Sequence, residues 1–497
     1  MNIKNQKVSI AEKIGYSLGD CSANLVFQMM MIYQTKFYTD IFGLEGAIAG
    51  TVMLVARIVD AFVDPTVGLL SDRSKTRFGK YRPWILWTAL PFMVFYILAF
   101  YNPGIEDKGL VALYATISYT LLMTLYSFNN TPYASLGGVM SSDIKERTSI
   151  TSIRFIAATI AQFVVQGLTL PLVGKFAENG DKAHGWLCTV SLFAGIGFLF
   201  LVITFFSTKE RIEPPLGQKT NMRKDIQDVL GSIPWRAMFV LTLFLFITLA
   251  MWGSAMNYYF ENYVDGNALY DFLDRLGLVA TETDGSVGYA ILNAFGLMVN
   301  DPSKAYEVGF GVFNMLGAVV QFAGVILLSN FLANRYGKRK VFICCLSLTA
   351  VFTALFYFPG EQEIEAIFIL NLLKSLAYAP TVPLLWAMIA DVADYSEYKN
   401  YRRATGFVFA GVVFALKAGL GIGGAILGFL LSGFGYISGT GAVQSETAVE
   451  GIVLSSSIIP AITFGIGILA LYFYPITKQY NERMQFELTE RRNRTDY

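Results

Sequence analysis

Twelve long apolar runs separated by short polar loops constrain this chain more than any other feature; they cover roughly 15–39, 46–70, 84–101, 110–138, 150–176, 186–207, 234–260, 306–333, 340–359, 364–390, 404–436 and 450–475. A helix needs about 20 mainly apolar residues to cross a bilayer core of about 30 Å. These runs are too long for barrel strands, and only a helix satisfies its own backbone hydrogen bonds in lipid. The expected fold is therefore all-α and integral to the membrane, with twelve transmembrane helices in two six-helix bundles. Of 497 residues, 54% are hydrophobic and 15% charged, against about 25% charged in a soluble domain. No water-soluble fold could hide that much apolar surface.

Orientation follows from the short loops. Arg73, Lys75, Arg77, Lys80 and Arg82 follow the second run, Lys145 and Arg147 the fourth, Arg335, Lys338, Arg339 and Lys340 the eighth, and Lys399, Arg402 and Arg403 the tenth. Loops rich in Lys and Arg stay in the cytoplasm, so these loops and both termini are expected inside. The opposite loops carry Glu106, Asp107, Glu361, Glu363, Glu365, Glu446 and Glu450.

A polar break at 208–233, with Lys209, Arg211, Pro214, Pro215, Lys219, Arg223 and Lys224, divides the chain. The expected organisation is a six-helix bundle at 1–207, an inter-bundle loop at 208–233, a second bundle at 234–478 and a cytoplasmic tail at 479–497. Arg77-Phe78-Gly79-Lys80-Tyr81-Arg82 and Arg335-Tyr336-Gly337-Lys338-Arg339-Lys340 follow the second run of each half, as expected for duplicated halves. Residues 263–305 form an acidic outer insertion with Asp265, Asp271, Asp274, Glu282, Asp284 and Asp301. Its apolar stretch from Val287 to Val299 is about half a membrane long and reads as an interfacial or cap helix.

Several function classes lack material. The formal net charge is +1, so no global field draws nucleic acid. Cys21, Cys188, Cys344 and Cys345 show no metal or redox spacing, and His184 is the single histidine, which leaves zinc sites, catalytic triads and histidine bases unsupported. No enzyme and no cofactor is expected.

Ionisable residues inside the runs remain, each costing about 2.5–3.5 kcal/mol at a bilayer centre unless partnered or wet. Asp60 and Asp64 stand four apart and so share a helix face. Two such carboxylates repel unless a cation or proton sits between them; a buried network with Arg57 or Arg154 is the structural alternative. Asp20 and Asn24 are likewise four apart, and with Ser127 and Asn130 they offer oxygen ligands and hydrogen bonds, although Asp20 beside Gly19 also reads as the cap of a kink. Lys374 and Lys417 are the basic residues within the later runs, Lys417 preceding Gly419, Gly421, Gly423 and Gly424. Tyr33, Tyr126, Tyr133, Tyr258, Tyr378 and Trp386 fall in or near core runs, where rings stack on sugars or simply pack.

The run from Gly68 through Asp72, Arg73, Arg77, Gly79 and Lys80 to Arg82 resembles the loop signature of the major facilitator superfamily, whose implied role is a conformational latch. More narrowly, Phe37-Tyr38-Thr39-Asp40-Ile41-Phe42-Gly43-Leu44, the segment from Ala56 to Pro65, Asn130-Thr131-Pro132-Tyr133 and Ala390-Asp391-Val392-Ala393-Asp394-Tyr395 resemble the glycoside-pentoside-hexuronide:cation symporters. The resemblance implies the major facilitator fold in a bacterial inner membrane, a monomer embedded in lipid, and import of a sugar or glycoside with a coupling cation. By position it implies cation binding at Asp60, Asp64 and Ser127. It further implies substrate binding at Asp20, Asn24, Tyr126, Asn130, Arg154, Trp386 and Lys417. Val63 stands where melibiose permeases carry an amide, and Asn24 and Asn130 stand where they carry sugar-binding aspartates. Sodium prefers several oxygen ligands whereas a proton needs one carboxylate, so proton coupling is favoured over sodium. A similar fold also moves lysolipids, which makes a lysolipid or other non-sugar solute the alternative cargo.

Overall fold

The computed structural model describes residues 7–74, 76–141, 143–177, 180–211, 222–280, 287–400 and 405–493. Lys75, Pro214, Pro215, Lys219, Glu282, Asp284, Arg402 and Arg403 lie outside the described residues, as do the side chains of Asp72, Lys145, Arg223 and Lys224. The described chain is helical, with two isolated bridges, Thr76 to Gly79 and Val279 to Val299. The helices are α1 (Ile10–Ile32), α2 (Gln34–Lys36), α3 (Gly46–Arg73), α4 (Arg82–Ala99), α5 (Lys108–Val139), α6 (Ile144–Phe176), α7 (Lys182–Ser207), α8 (Met222–Gly231), α9 (Ile233–Asn262) and α10 (Gly266–Arg275). They continue as α11 (Val287–Ala294), α12 (Ala305–Tyr336), α13 (Lys338–Leu355), α14 (Ile364–Tyr378), α15 (Thr381–Asn400), α16 (Thr405–Gly433), α17 (Glu446–Ser456), α18 (Ile458–Tyr472) and α19 (Lys478–Asn493).

Among the described residues, ten helical stretches are long and apolar enough to cross a membrane. The expected first and ninth spans fall on α1 and α13 and are more polar. The reason is local: within the expected run α1 carries Asp20, Asn24 and Gln28, and α13 opens on Lys338, Arg339 and Lys340. The protein is an all-α integral membrane protein.

The chain divides into two compact units. The first comprises Met1–Gly217, Phe260–Asn314 and Gly424–Val449. In it α1 packs on α6 and α7, α3 on α5, and α4 on α5 and α7. Small residues allow the approach, as in other membrane helix pairs: a Cβ at Gly19 would meet the Tyr133 ring and lie 3.1 Å from Thr204 Oγ1. Hydroxyls then bridge helices, Thr204 Oγ1 donating to the Gly15 carbonyl at 2.8 Å and Ser22 Oγ to the Gly197 carbonyl at 2.9 Å. Pro65, Pro91, Pro132 and Pro171 sit inside α3, α4, α5 and α6, a pattern membrane helices tolerate when neighbours satisfy the freed backbone.

Later segments complete this unit. Gly46 and Gly50 of α3 lie against the backbone of Gly428 and Ala425, and the Ala47 amide, one of the otherwise unbonded donors of the first helical turn, donates to Ser432 Oγ at 3.1 Å. The insertion rests on the end of α6. Lys175 Nζ donates to the Asn293 and Ala294 carbonyls at 2.5 and 2.9 Å, capping α11 where its dipole favours a cation.

The second unit comprises Gln218–Tyr259, Met315–Gly423 and Glu450–Tyr497. Its core gathers Trp235, Met238, Leu241, Phe342, Leu346, Met388, Ile389 and Phe464. Here α13 packs on α14, α15 and α18, and Gly419 and Gly423 of α16 approach the carbonyls of Leu243 and Ile247. The expected tail at 479–497 is largely helix α19, held to α15 by Gln485 Nε2 donating to Asp394 Oδ2 at 2.7 Å and Arg491 Nη1 to the Tyr398 carbonyl at 3.1 Å.

Candidate functional site

Asp60 and Asp64 lie one turn apart on α3, with Arg57 a turn earlier. Asp60 is 1% exposed, and Ser127 Oγ from α5 donates to its Oδ1 at 2.6 Å. Arg57 Nη1 stands 3.9 Å from Asp60 Oδ2, a loose ion pair between buried groups. The set of Asp60, Asp64 and Ser127 is oxygen only, which suits a hard cation or a proton. Among the described residues no cluster of three His, Cys, Asp or Glu side chains could hold a metal ion.

A second ion pair lies between α1 and α6, where Arg154 Nε is 3.5 Å from Asp20 Oδ2 and both side chains keep partial exposure. Asn24 Nδ2 donates to the Asp20 carbonyl at 2.9 Å, so Asn24 and Asp20 share a helix face as their spacing predicts. Tyr16 and Tyr133 stack beside them with centroids 4.6 Å apart, and Tyr133 Oη donates to the Tyr16 carbonyl at 2.8 Å. On α5, Asn130 Nδ2 donates to Tyr126 Oη at 3.4 Å, and the Tyr126 ring meets Phe27 and Phe92. The two arginines therefore divide: Arg57 faces Asp60 and Arg154 faces Asp20. Trp386 on α15 and Lys417 on α16 belong to the second unit, Trp386 packing against its apolar core.

The segment from Lys80 to Arg82 is tied down by a residue that sequence reasoning missed. Glu210, beyond α7, accepts from the amides of Lys80, Tyr81 and Arg82 at 2.8, 2.8 and 3.0 Å. A carboxylate there meets the orphan donors and positive dipole end of α4. Gly79 has φ of +112° and its Cβ position is filled by the Glu210 carboxylate, so a glycine is required on two grounds. Arg77 lies over the Phe78 ring at 4.6 Å, and Arg82 Nη2 donates to the Phe205 carbonyl at 2.7 Å. Gly68, within α3, has nothing within 4 Å of its Cβ position.

A charged cluster at the end of the first unit that bears the insertion was missed as well. Lys36, 4% exposed, pairs with Asp40 at 2.8 Å and with Glu261 of α9. Glu261 also lies 3.7 Å from Lys182 of α7, whose Nζ donates to Tyr306 Oη of α12 at 2.7 Å. Tyr436 Oη donates to Asp40 Oδ1 at 3.1 Å and Thr440 Oγ1 to the Asp40 carbonyl at 3.1 Å. The four-residue spacing of Lys36 and Asp40 is the one legible signal; the other partners come from distant helices.

The family described as MFS/sugar transport protein matches residues 15–282 and 276–478. The chain is 33% identical over 497 residues to the inner membrane symporter YicJ of Escherichia coli (strain K12), covering 99% of this chain and 97% of that protein. It is 30% identical over 480 residues to the isoprimeverose transporter of Lactiplantibacillus pentosus, covering 96% and 91%. A solved bacterial homologue of the human drug peptide transporters PepT1 and PepT2 shares the fold with a TM-score of 0.62 at 14% identity, covering 94% of this chain and 98% of that one. The chain is a transporter and not an enzyme: it belongs to the sugar-transport branch of the major facilitator superfamily, the glycoside-pentoside-hexuronide:cation symporter group.

Proposed function

We propose that this protein is a secondary active symporter that imports a sugar or glycoside, of the glucuronide, xyloside or related type, by alternating access with a coupling cation, the proton being favoured over sodium. The observation that carries this reading is the Ser127 hydroxyl on the buried Asp60 carboxylate, one turn from Asp64. A buried acidic pair persists in a membrane where it binds and releases a positive charge. Asp20, Asn24, Tyr126, Asn130 and Arg154 supply donors, acceptors and rings for a hydroxylated solute beside it, with Trp386 and Lys417 the contributions of the later helices. The polar character of this set favours sugar over a lysolipid. YicJ is named a symporter and the Lactiplantibacillus relative an isoprimeverose transporter, in keeping with a small hydroxylated solute.

In this reading 1–207 and 234–478 act as the two bundles about the 208–233 loop, both termini are cytoplasmic, and the insertion is outside. The Lys36, Asp40, Glu261, Lys182 and Tyr306 cluster then lies at the outer end, where breaking charged contacts accompanies opening. Gly68, Asp72, Arg73, Arg77, Gly79 and Lys80 form the inner latch. No cofactor takes part; the solute, the cation and the surrounding lipid are the partners of a monomer. Uptake into vesicles with an imposed proton or sodium gradient tests the reading: uphill accumulation of a glycoside is expected, and its absence under both gradients overturns it.

A further inference from the structure

Within the second unit a cavity of about 540 Å³ opens between the Arg335-to-Lys340 motif and the start of α19. Arg335, Arg339, Lys340 and Lys478 line it, and among the described residues no Asp or Glu does. Lys338, the remaining cation of the motif, is engaged by Asp391 at 2.7 Å. Glu482 stands 4.0 Å from Lys478 Nζ, with both side chains exposed, a pairing that offsets little of the charge. Four cations gathered around one space repel each other unless an anion stands among them.

The cavity lies at a membrane boundary. The apolar stretches of α12 and α18 end at Tyr336 and Tyr472, and Phe331, Tyr336, Tyr472 and Phe473 are exposed there, as in an interfacial aromatic belt. Two of the cations also hold the fold. Arg339 Nε and Nη2 donate to the Leu471 and Tyr472 carbonyls at 3.1 and 2.8 Å, and Lys478 Nζ donates to the Asn334 carbonyl at 2.7 Å. These bonds close the ends of α18 and α12 without neutralising either charge. The other two are uncommitted: Arg335 lies over the Tyr336 ring at 5.5 Å, and among the described residues neither Arg335 nor Lys340 donates a hydrogen bond to the protein. The matching motif of the first half is built differently, since Glu210 brings a carboxylate to Lys80, Tyr81 and Arg82. Here no side chain caps α13, and the segment beyond α18 brings Lys478 instead of an acid.

We propose that this cavity binds the phosphate headgroup of an anionic phospholipid such as phosphatidylglycerol, with the acyl chains beside the exposed rings at its rim. Arginine and lysine donate charge-assisted hydrogen bonds to phosphate oxygens, and basic pockets between membrane helices at the bilayer surface suit such headgroups. The aromatic rim at the edge of the hydrocarbon selects a lipid over a free phosphate. The lipid is a resident tie between α12, α13, α18 and α19 and not the transported solute, so the failure of this proposal leaves the symporter reading untouched.

The test uses the full chain in detergent at fixed ionic strength, titrated with phosphatidylglycerol, with phosphatidylcholine of the same acyl chains, and with inorganic phosphate. Native mass spectrometry counts bound lipid, and thermal unfolding reads stabilisation. Wild-type protein is expected to bind phosphatidylglycerol at least about 10-fold more tightly than phosphatidylcholine. The double variant Arg335→Gln, Lys340→Gln, whose residues leave the helix-closing bonds in place, is expected to bring the two lipids within about 2-fold of each other, with Tm unchanged when no lipid is added. The wild-type comparison is read first and depends on no variant's folding. Should the double variant not fold, Arg335→Gln and Lys340→Gln singly are each expected to reduce the preference by about 3-fold. Equal wild-type binding of the two lipids overturns the proposal, as does a preference that survives in the variants. Stabilisation by inorganic phosphate equal to that by phosphatidylglycerol at the same concentration overturns the lipid as the ligand.

Discussion

Ser127 Oγ donates to Asp60 Oδ1 at 2.6 Å across the α3 and α5 interface, joining a hydroxyl to a carboxylate that is 1% exposed. The contact adds a hydroxyl to the acidic helix face that Asp60 shares with Asp64. A hydrogen bond to a charged group contributes about 1.5–3 kcal/mol.

Asp60→Asn and Asp64→Asn are each expected to abolish cation-driven accumulation with the protein still folded, because Asn nearly conserves volume and removes the charge that coupling needs. Ser127→Ala is expected to weaken cation binding by about 10- to 100-fold. Accumulation ratios in vesicles check this; wild-type uphill transport by the Asn variants removes the site assignment.

The coupling ion is read from uptake at fixed pH with and without sodium, then at fixed sodium with an imposed pH gradient. Val63 offers no oxygen where an amide could have served sodium, so a response to the pH gradient in the absence of sodium is expected. Sodium dependence with no response to pH reverses the choice of ion and leaves the transporter reading intact.

Glu261→Gln removes a carboxylate shared by Lys36 and Lys182. Asp40 still faces Lys36, so the cost falls below the about 3–5 kcal/mol of orphaning a buried ion outright. The expected result is a population shift away from the state in which this cluster is closed. Spectroscopic distances between labels at the insertion-bearing ends of α7 and α12 report it; unchanged distance distributions mean the cluster does not gate.

Glu210→Ala leaves three amides at the start of α4 without their acceptor, and is expected to destabilise by about 1–3 kcal/mol. Gly79→Ala is expected to act in the same direction, through both its positive φ and the collision with Glu210. Thermal unfolding in detergent measures both. A Tm within one degree or so of wild type for both variants contradicts the capping role.

Arg73→Ala, Arg77→Ala and Asp72→Ala are expected to change the balance of conformational states more than intrinsic solute affinity. Paired measurements of binding and of label distances separate the two effects. A sharp loss of affinity with unmoved distances is the outcome that rejects the latch.

Much of this could be read along the chain because it depends on neighbours in sequence. A run of about 20 apolar residues must be a helix in lipid, and helical periodicity places Asp60 with Asp64, Asp20 with Asn24, and Lys36 with Asp40. Basic loops, the half-membrane length of 287–299 and the scarcity of histidine were equally local. The greater polarity of two of the spans is local too: Asp20, Asn24 and Gln28 lie within α1, and Lys338 to Lys340 open α13.

The partners across helices were decided by the tertiary structure. Periodicity says which face Asp60 is on but not that Ser127, 67 residues later, meets it. Nor does it say that Arg57 faces Asp60 while Arg154 faces Asp20. Glu210 and Glu261 looked like ordinary loop and helix-end charges, yet one closes the start of α4 from 128 to 130 residues away and the other pairs with Lys36 at a separation of 225. The difference has one cause. Backbone geometry fixes contacts within a turn or two of a helix, whereas contacts between helices depend on which small residues, such as Gly19 against Tyr133, let which faces come together, and that is settled by the packing of the whole unit at once.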